Sequence, residues 1–247
     1  MEDKNRPQSS GDLESGGGGR ALYPDQPVYE TPLRWAFIRK IYTILSLQLL
    51  LTIAVAAVMV FVHPIAHFFV STAAGLAVYI ILIICALVLL CPLSFYAQTH
   101  PVNLILLALF TLCISFSVGL TCAFTSGKVI LESAILTAVV VVSLTLYTFW
   151  AVRRGHDFSF LGPFLFAGLT VLLVFILIQV IFPLGKLSKM IYGGLASILF
   201  SGYIIYDTDN LIKRYSYDEY VWAAISLYLD IINLFVSLLT LLSEAQD

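Results

Sequence analysis

A bundle of seven membrane-spanning α-helices is the fold class this sequence predicts, and three observations lead to it. Of the 247 residues, 60% are hydrophobic and only 11% charged, whereas a soluble domain carries about 25% charged residues. The mean hydropathy is +0.96. The apolar residues are gathered into seven runs, each close to or beyond the ~20 residues a helix needs to cross a bilayer. Lipid offers no partner to an unpaired peptide group, so runs of this length are helices rather than open strands.

The spans are expected at 41–62, 70–95, 102–124, 129–151, 160–182, 190–211 and 221–242. Residues 1–33 precede them. They are polar, rich in Gly, Ser and Pro, and include the run Gly16 to Gly19, so they bury too little apolar area to offset their ordering entropy and are expected to form a disordered cytosolic tail. Arg34-Trp35-Ala36-Phe37-Ile38-Arg39-Lys40 combines three cations with an aromatic pair and reads as an interfacial anchor. A single transmembrane domain is expected over 34–243, with a short tail at 244–247. His63 to His67, containing Pro64, is read as a loop, and Pro92 leaves the exit of the second span open by several residues. No cleavable signal peptide is expected: the first apolar run begins near Ile41 and reads as a retained signal anchor.

Orientation follows from the cations. With the N-terminus in the cytosol, that side holds Lys4, Arg6, Arg20, Arg34, Arg39, Lys40, Arg153, Arg154, Lys213 and Arg214, against Lys128, Lys186 and Lys189 outside. This bias predicts a cytosolic N-terminus and a C-terminus on the opposite face. The net charge of −2 shows no basic excess, so no nucleic-acid partner is expected. Cys85, Cys91, Cys113 and Cys122 lie in or beside apolar runs without metal-like spacing and read as small membrane-core residues.

The last two spans carry the candidate site. Asp207 and Asp230 lie in apolar surroundings, and an ionisable group at membrane depth is a functional hypothesis by default. Gly193, Ser197 and Ser201 recur every four residues, a small-residue face that lets a neighbouring helix approach. Asp207 falls within about 40° of that face, and Asp209 roughly opposite. Asp209, Asp218 and Glu219 are therefore read as solvated charges at the wet end of the hairpin. In the seventh span Ser226, Asp230, Asn233 and Ser237 fall within about 60° of one line, a polar stripe that must face protein or water. The midpoint between Asp207 and Asp230 lies in the connecting loop, at Asp218 and Glu219, so the two aspartates are expected at equal depth on inward faces. Two carboxylates in one low-dielectric site cannot both ionise cheaply. The expectation is a shared proton that locks the two helices and whose loss pushes them apart. Carboxylates and carbonyls also suit calcium, so a transient calcium contact is expected at the pair, with no resident metal or other cofactor. Glu132, at the start of the fourth span, is a further pathway candidate, weighed against an ordinary helix N-terminal acid. Gln179 is read as an interhelical hydrogen bond. His63 and His67, separated by Pro64, and the loop residues His100 and His156 form no metal constellation.

At these residues the sequence resembles the transmembrane Bax inhibitor motif family, most closely its plant Lifeguard branch. The resemblance rests on Leu33-Arg34-Trp35-Ala36-Phe37-Ile38-Arg39-Lys40-Ile41-Tyr42, on His100-Pro101-Val102-Asn103-Leu104 and on Ser201 to Leu239, including Tyr206-Asp207-Thr208 and Ser226-Leu227-Tyr228-Leu229-Asp230-Ile231-Ile232-Asn233-Leu234-Phe235. It covers about residues 33–243. It implies seven helices with a central helix wrapped by the others, a pH-sensitive calcium leak gated by a carboxylate pair matching Asp207 and Asp230, and suppression of programmed cell death through lower calcium in internal stores. Bacterial members are similar but carry an arginine in the second span that pairs with the sixth-helix aspartate. Here residues 70–97 contain no Lys or Arg, and Tyr96 or His100 are the candidate replacements.

The expected function is therefore a multi-pass membrane protein acting as a pH-sensitive calcium leak and cell-death suppressor, with calcium as permeant ion. Its expected partners are the bilayer, protons, calcium and cell-death or calcium-signalling proteins. The alternative is a non-conducting scaffold that acts through protein partners. Tyr206-Asp207 followed by an aspartate on the next helix also resembles intramembrane aspartyl proteases, but those need GxGD where this chain has Leu227-Tyr228-Leu229-Asp230, so no enzyme activity is expected. No internal repeat supports a coupled transporter. The expected membrane is the endoplasmic reticulum, with vacuole, Golgi and plasma membrane as alternatives.

Overall fold

The computed structural model describes residues 32–182 and 185–246, and every regular element in them is helical. The disordered-tail expectation falls on residues outside this range, except that Pro32 and Leu33 already belong to the first helix. That helix, α1 (Pro32–Phe61), is followed by the short α2 (His63–Ser71), then α3 (Ala73–Tyr96), α4 (Val102–Ala123), α5 (Gly127–Arg153), α6 (Leu161–Ile181) and α7 (Lys186–Lys213). A single 3-10 turn (Tyr217–Glu219) leads into α8 (Tyr220–Gln246). Seven of these helices are long and apolar enough to cross a membrane.

Several boundaries depart from the sequence expectation. The loop expected at His63 to His67 is helical, because Pro64 occupies the first turn of α2, where its missing N–H costs nothing. The chain leaves the helix at Val62 and again at Thr72, which is extended and accepts a hydrogen bond from Gly75 N at 2.9 Å, an ordinary N-cap. At the far end α8 runs on to Gln246, so the expected tail is mostly helix. Its polar residues are anchored there: Lys189 Nζ reaches Glu244 Oε1 at 2.8 Å, and Gln246 Nε2 donates to Glu132 Oε2 at 2.8 Å.

Helix α8 is the centre of the bundle. Of its membrane window 56% is buried, against 11–39% in the other six, and it packs against α7, α5, α1 and α4. Between helices in lipid there is no hydrophobic driving force, so association rests on close packing and polar contacts. Both are present. A Cβ at Gly193 of α7 would fall 2.9 Å from Ser237 O and 3.0 Å from Leu241 N of α8, and one at Gly119 of α4 would fall 3.1 Å from Ala56 Cα of α1. The outer faces present Leu47, Leu50, Ile53, Val139, Leu146 and Leu177, as a lipid-facing surface should.

A polar network that no motif announces ties α1 and α4 to α8. Gln48 Nε2 donates to Thr111 Oγ1 at 3.0 Å, Ser115 Oγ donates to Thr52 Oγ1 at 3.0 Å, and Thr52 Oγ1 meets the Tyr228 hydroxyl at 2.8 Å. Tyr228 is fully buried. Replacing it by phenylalanine removes one interhelical hydrogen bond and is expected to cost about 1 kcal/mol. Thermal denaturation in detergent should show this as a fall of about 2–4 °C.

A buried aspartate pair on the central hairpin

Asp207 and Asp230 are brought together. Asp207 lies near the end of α7 and Asp230 ten residues into α8, and the chain reverses between them through the Tyr217–Glu219 turn. The side chains are 9% and 6% exposed, and the two carboxyl groups are within hydrogen-bonding reach of each other. Asp230 Oδ2 has no hydrogen-bond partner, and Asn210 Nδ2 stands 3.5 Å from Asp207 Oδ1. Among the described residues no Lys or Arg forms an ion pair with either aspartate.

The surroundings of the pair were only partly legible in the sequence. Tyr203 and Asn210 flank Asp207 at i−4 and i+3, the spacing that puts side chains on one helical face, and Tyr203 lies within electrostatic range of both aspartates. Tyr215, in the connection after α7, faces them as well. Its hydroxyl is 3.3 Å from Ser226 Oγ. Burial pushes the Tyr215 phenol up to about 12, so it remains a neutral hydrogen-bonding group beside the pair.

The stripe of α8 lies along protein. Ser226 meets Tyr215, and Asn233 donates to Leu229 O at 2.8 Å. Ser237 donates to Asn233 O at 2.6 Å and is 4% exposed, and its backbone is where Gly193 makes its close approach. The Asn233 amide and the Ser237 hydroxyl thus donate to their own helix. Gln179 bonds Ser188 Oγ across α6 and α7 at 2.8 Å. Glu132 is not part of the pair's surroundings. It lies beside Lys128 (3.7 Å) and Gln246, sixteen residues along α8 from Asp230, a helical rise of about 24 Å.

Two expectations for this region are corrected. The first concerns Asp209, read as a solvated charge: it is fully buried and paired with Lys213, Nζ to Oδ1 2.7 Å. Helix α7 packs against α5 and α6 as well as α8, and Lys213, which pairs with Asp209, also lies 3.6 Å from Asp157 of the α5–α6 connection, so the face opposite Asp207 meets protein. The second concerns Arg34, read as an interfacial anchor. It is 3% exposed and donates to Ile212 O at 2.9 Å, Leu211 O at 2.5 Å and Tyr215 O at 2.5 Å, closing the C-terminal end of α7. Its neighbours Arg39 and Lys40 are exposed as expected.

Neither candidate replacement for the second-span arginine reaches the pair. Tyr96 is exposed. His100 stacks on Tyr220, with Nε2 at 2.6 Å from the Tyr220 hydroxyl. The groups around the pair come from α7 and the α7–α8 connection instead.

Chemically, the pair offers two facing carboxyl groups inside a helical bundle. Among the described residues no group of three or more His, Cys, Asp or Glu side chains gathers. A cation there would be held by two carboxylates, with carbonyls and water completing its shell.

The fold and this site define a class: a seven-helix, multi-pass membrane protein with a buried aspartate pair on its central hairpin. Residues 34–247 match the family described as inhibitor of apoptosis-promoting Bax1. The chain is 64% identical over 245 residues to Protein LIFEGUARD 4 of Arabidopsis thaliana, covering 98% of both chains, and 68% identical over 232 residues to Protein LIFEGUARD 2 of the same plant, covering 94% and 95%. It is also 39% identical over 211 residues to the Golgi anti-apoptotic protein of vaccinia virus (strain Lister), covering 85% and 86%. The chain belongs to the Bax inhibitor family, in its plant Lifeguard branch.

Proposed function

We propose that the protein suppresses programmed cell death from an internal membrane by letting calcium leak from a store, with the Asp207–Asp230 pair as a proton-operated gate. The observation that carries this reading is the contact of two buried carboxyls across α7 and α8, with no Lys or Arg among the described residues paired to either. A proton held between them joins the helices. Without it, two negative charges face one another at short range and repel, and the same oxygens attract a divalent cation. The leak is therefore smallest when the pair holds its proton and grows as pH rises. The cell-death role is supported by the family's description and by the name of the viral relative. The latter also favours an endomembrane setting.

Calcium flux in proteoliposomes, measured across about pH 5 to 8, tests the gate. Asp207→Asn and Asp230→Asn each remove a titrating group while keeping a hydrogen-bonding side chain, so each is expected to flatten the pH dependence. Variants that leak with wild-type pH dependence would exclude the pair as gate. A protein that passes no calcium at any pH yet still protects cells would point to a non-conducting scaffold.

A further inference from the structure

On the face of α7 opposite the aspartate pair, the turn between α5 and α6 encloses an ammonium group in oxygen. Lys213 Nζ lies 2.7 Å from Asp209 Oδ1 and 3.6 Å from Asp157 Oδ1, and it donates to the His156 carbonyl at 2.5 Å. Asp157 is oriented by Ser159, whose backbone N–H reaches Oδ1 at 3.2 Å and whose hydroxyl reaches Oδ2 at 2.8 Å, and Arg214 Nη2 is 3.3 Å from Oδ1. The two carboxyl groups are also within reach of one another.

Asp209 is the unusual member. Its side chain is fully buried, and the Lys213 ammonium, 2.7 Å from Oδ1, leaves Oδ2 without a partner. A buried carboxylate with unfilled lone pairs is costly unless a cation and further donors complete its shell. Lys213 does so only for one oxygen, through a long and flexible stem.

We propose that the Asp157, Asp209 and His156 oxygens form a second cation site, suited to calcium, in which the Lys213 ammonium is the built-in competitor. The donor set fits a hard divalent cation, since two carboxylates and a carbonyl supply up to about five oxygens of the six to eight that calcium takes. Water completes the shell from the open side, where the Asp157 side chain is 54% exposed. The hydrogen bonds from Ser159, and then Lys213, hold the Asp157 carboxyl down at about 2, so it is ionised at any physiological pH. A cation bound here releases Lys213 and ties the α5–α6 turn to α7 two residues from Asp207. The site stands on its own geometry and does not depend on whether the aspartate pair conducts.

Titration calorimetry of the full-length protein in detergent with calcium chloride tests it. The titration is run in wild type and in the Asp207→Asn/Asp230→Asn background, which silences the other carboxylates. One bound calcium is expected to survive in that background. Lys213→Met removes the competitor and should tighten this binding about tenfold, whereas Asp157→Asn should weaken it at least about tenfold. Tighter binding in Lys213→Met is a gain that misfolding cannot produce, and Asp157 lies on the surface, where an amide leaves the fold intact. Absence of calcium binding in the Asp207→Asn/Asp230→Asn background, with wild-type calcium binding otherwise intact, overturns the proposal. So does an affinity that neither Lys213→Met nor Asp157→Asn changes.

Discussion

Replacing Arg34 by alanine is expected to cost about 3–5 kcal/mol, the loss associated with breaking a buried charge's contacts. A helix ends with carbonyl groups that have no partner and with a partial negative charge of about half an electron. In α7 the Leu211 and Ile212 carbonyls, and the Tyr215 carbonyl just beyond them, are taken by the Arg34 guanidinium. The same group lies 5.0 Å from the Phe37 ring centroid and 5.9 Å from that of Tyr217, which shields these bonds from water. Removing it leaves buried acceptors unsatisfied at the end of the helix that carries Asp207. Lysine is expected to rescue little, because a single ammonium cannot span three carbonyls as a planar fork does. The measurement is thermal denaturation in detergent, with a fall of about 6–20 °C expected for alanine. A fall within 2 °C, on the order of a surface substitution, would show that the arginine is only an interfacial anchor.

Gly193→Leu is the second large effect. The position has no room for a Cβ: it would meet Ser237 O at 2.9 Å, Leu241 N at 3.0 Å and Leu241 Cβ at 3.1 Å. Two of these are backbone atoms, which cannot turn aside as a flexible side chain would. Leucine must therefore push α7 from α8, and overpacking of this kind costs about 1–3 kcal/mol or more. Gly193→Ala should show the smaller part of the same effect. The hairpin that holds Asp207 against Asp230 opens at its opposite end, so the proposed leak should also lose part of the pH dependence proposed for it. Thermal denaturation and proteoliposome flux together check this. If Gly193→Leu denatures like wild type, the close approach of the two helices is not what holds the hairpin together.

These two positions differ in how visible they are in the sequence. Gly193 is legible: with Ser197 and Ser201 it forms a four-residue repeat of small residues, which by helical geometry alone marks a contact face. Arg34 is not. Its partners are backbone carbonyls at Leu211, Ile212 and Tyr215, some 177 to 181 residues away, and a carbonyl leaves no trace in side-chain identity. The network of Gln48, Thr52, Thr111, Ser115 and Tyr228 is intermediate. Polar pairs four residues apart inside apolar runs announce an inward face, but not which helices share it.

The aspartates separate the two kinds of information most clearly. The depth of Asp207 and Asp230 follows from counting residues on either side of a turn, and their facing from about 100° per residue; both are properties of the chain alone. The same count places Asp209 on the opposite face of α7, and that is where it lies. What covers that face is a different matter. It is decided by where α5 and α6 pack, and they bring Asp157 and the His156 carbonyl onto Lys213, leaving Asp209 fully buried. Length, composition and helical period by themselves determine seven spans, their order and the aspartate pair, because each rests on local geometry and on the cost of polar groups in lipid. Only the tertiary structure decides that α8 is the buried centre, that Arg34 closes α7 and that Asp209 is buried, because each depends on which surfaces of distant helices come together.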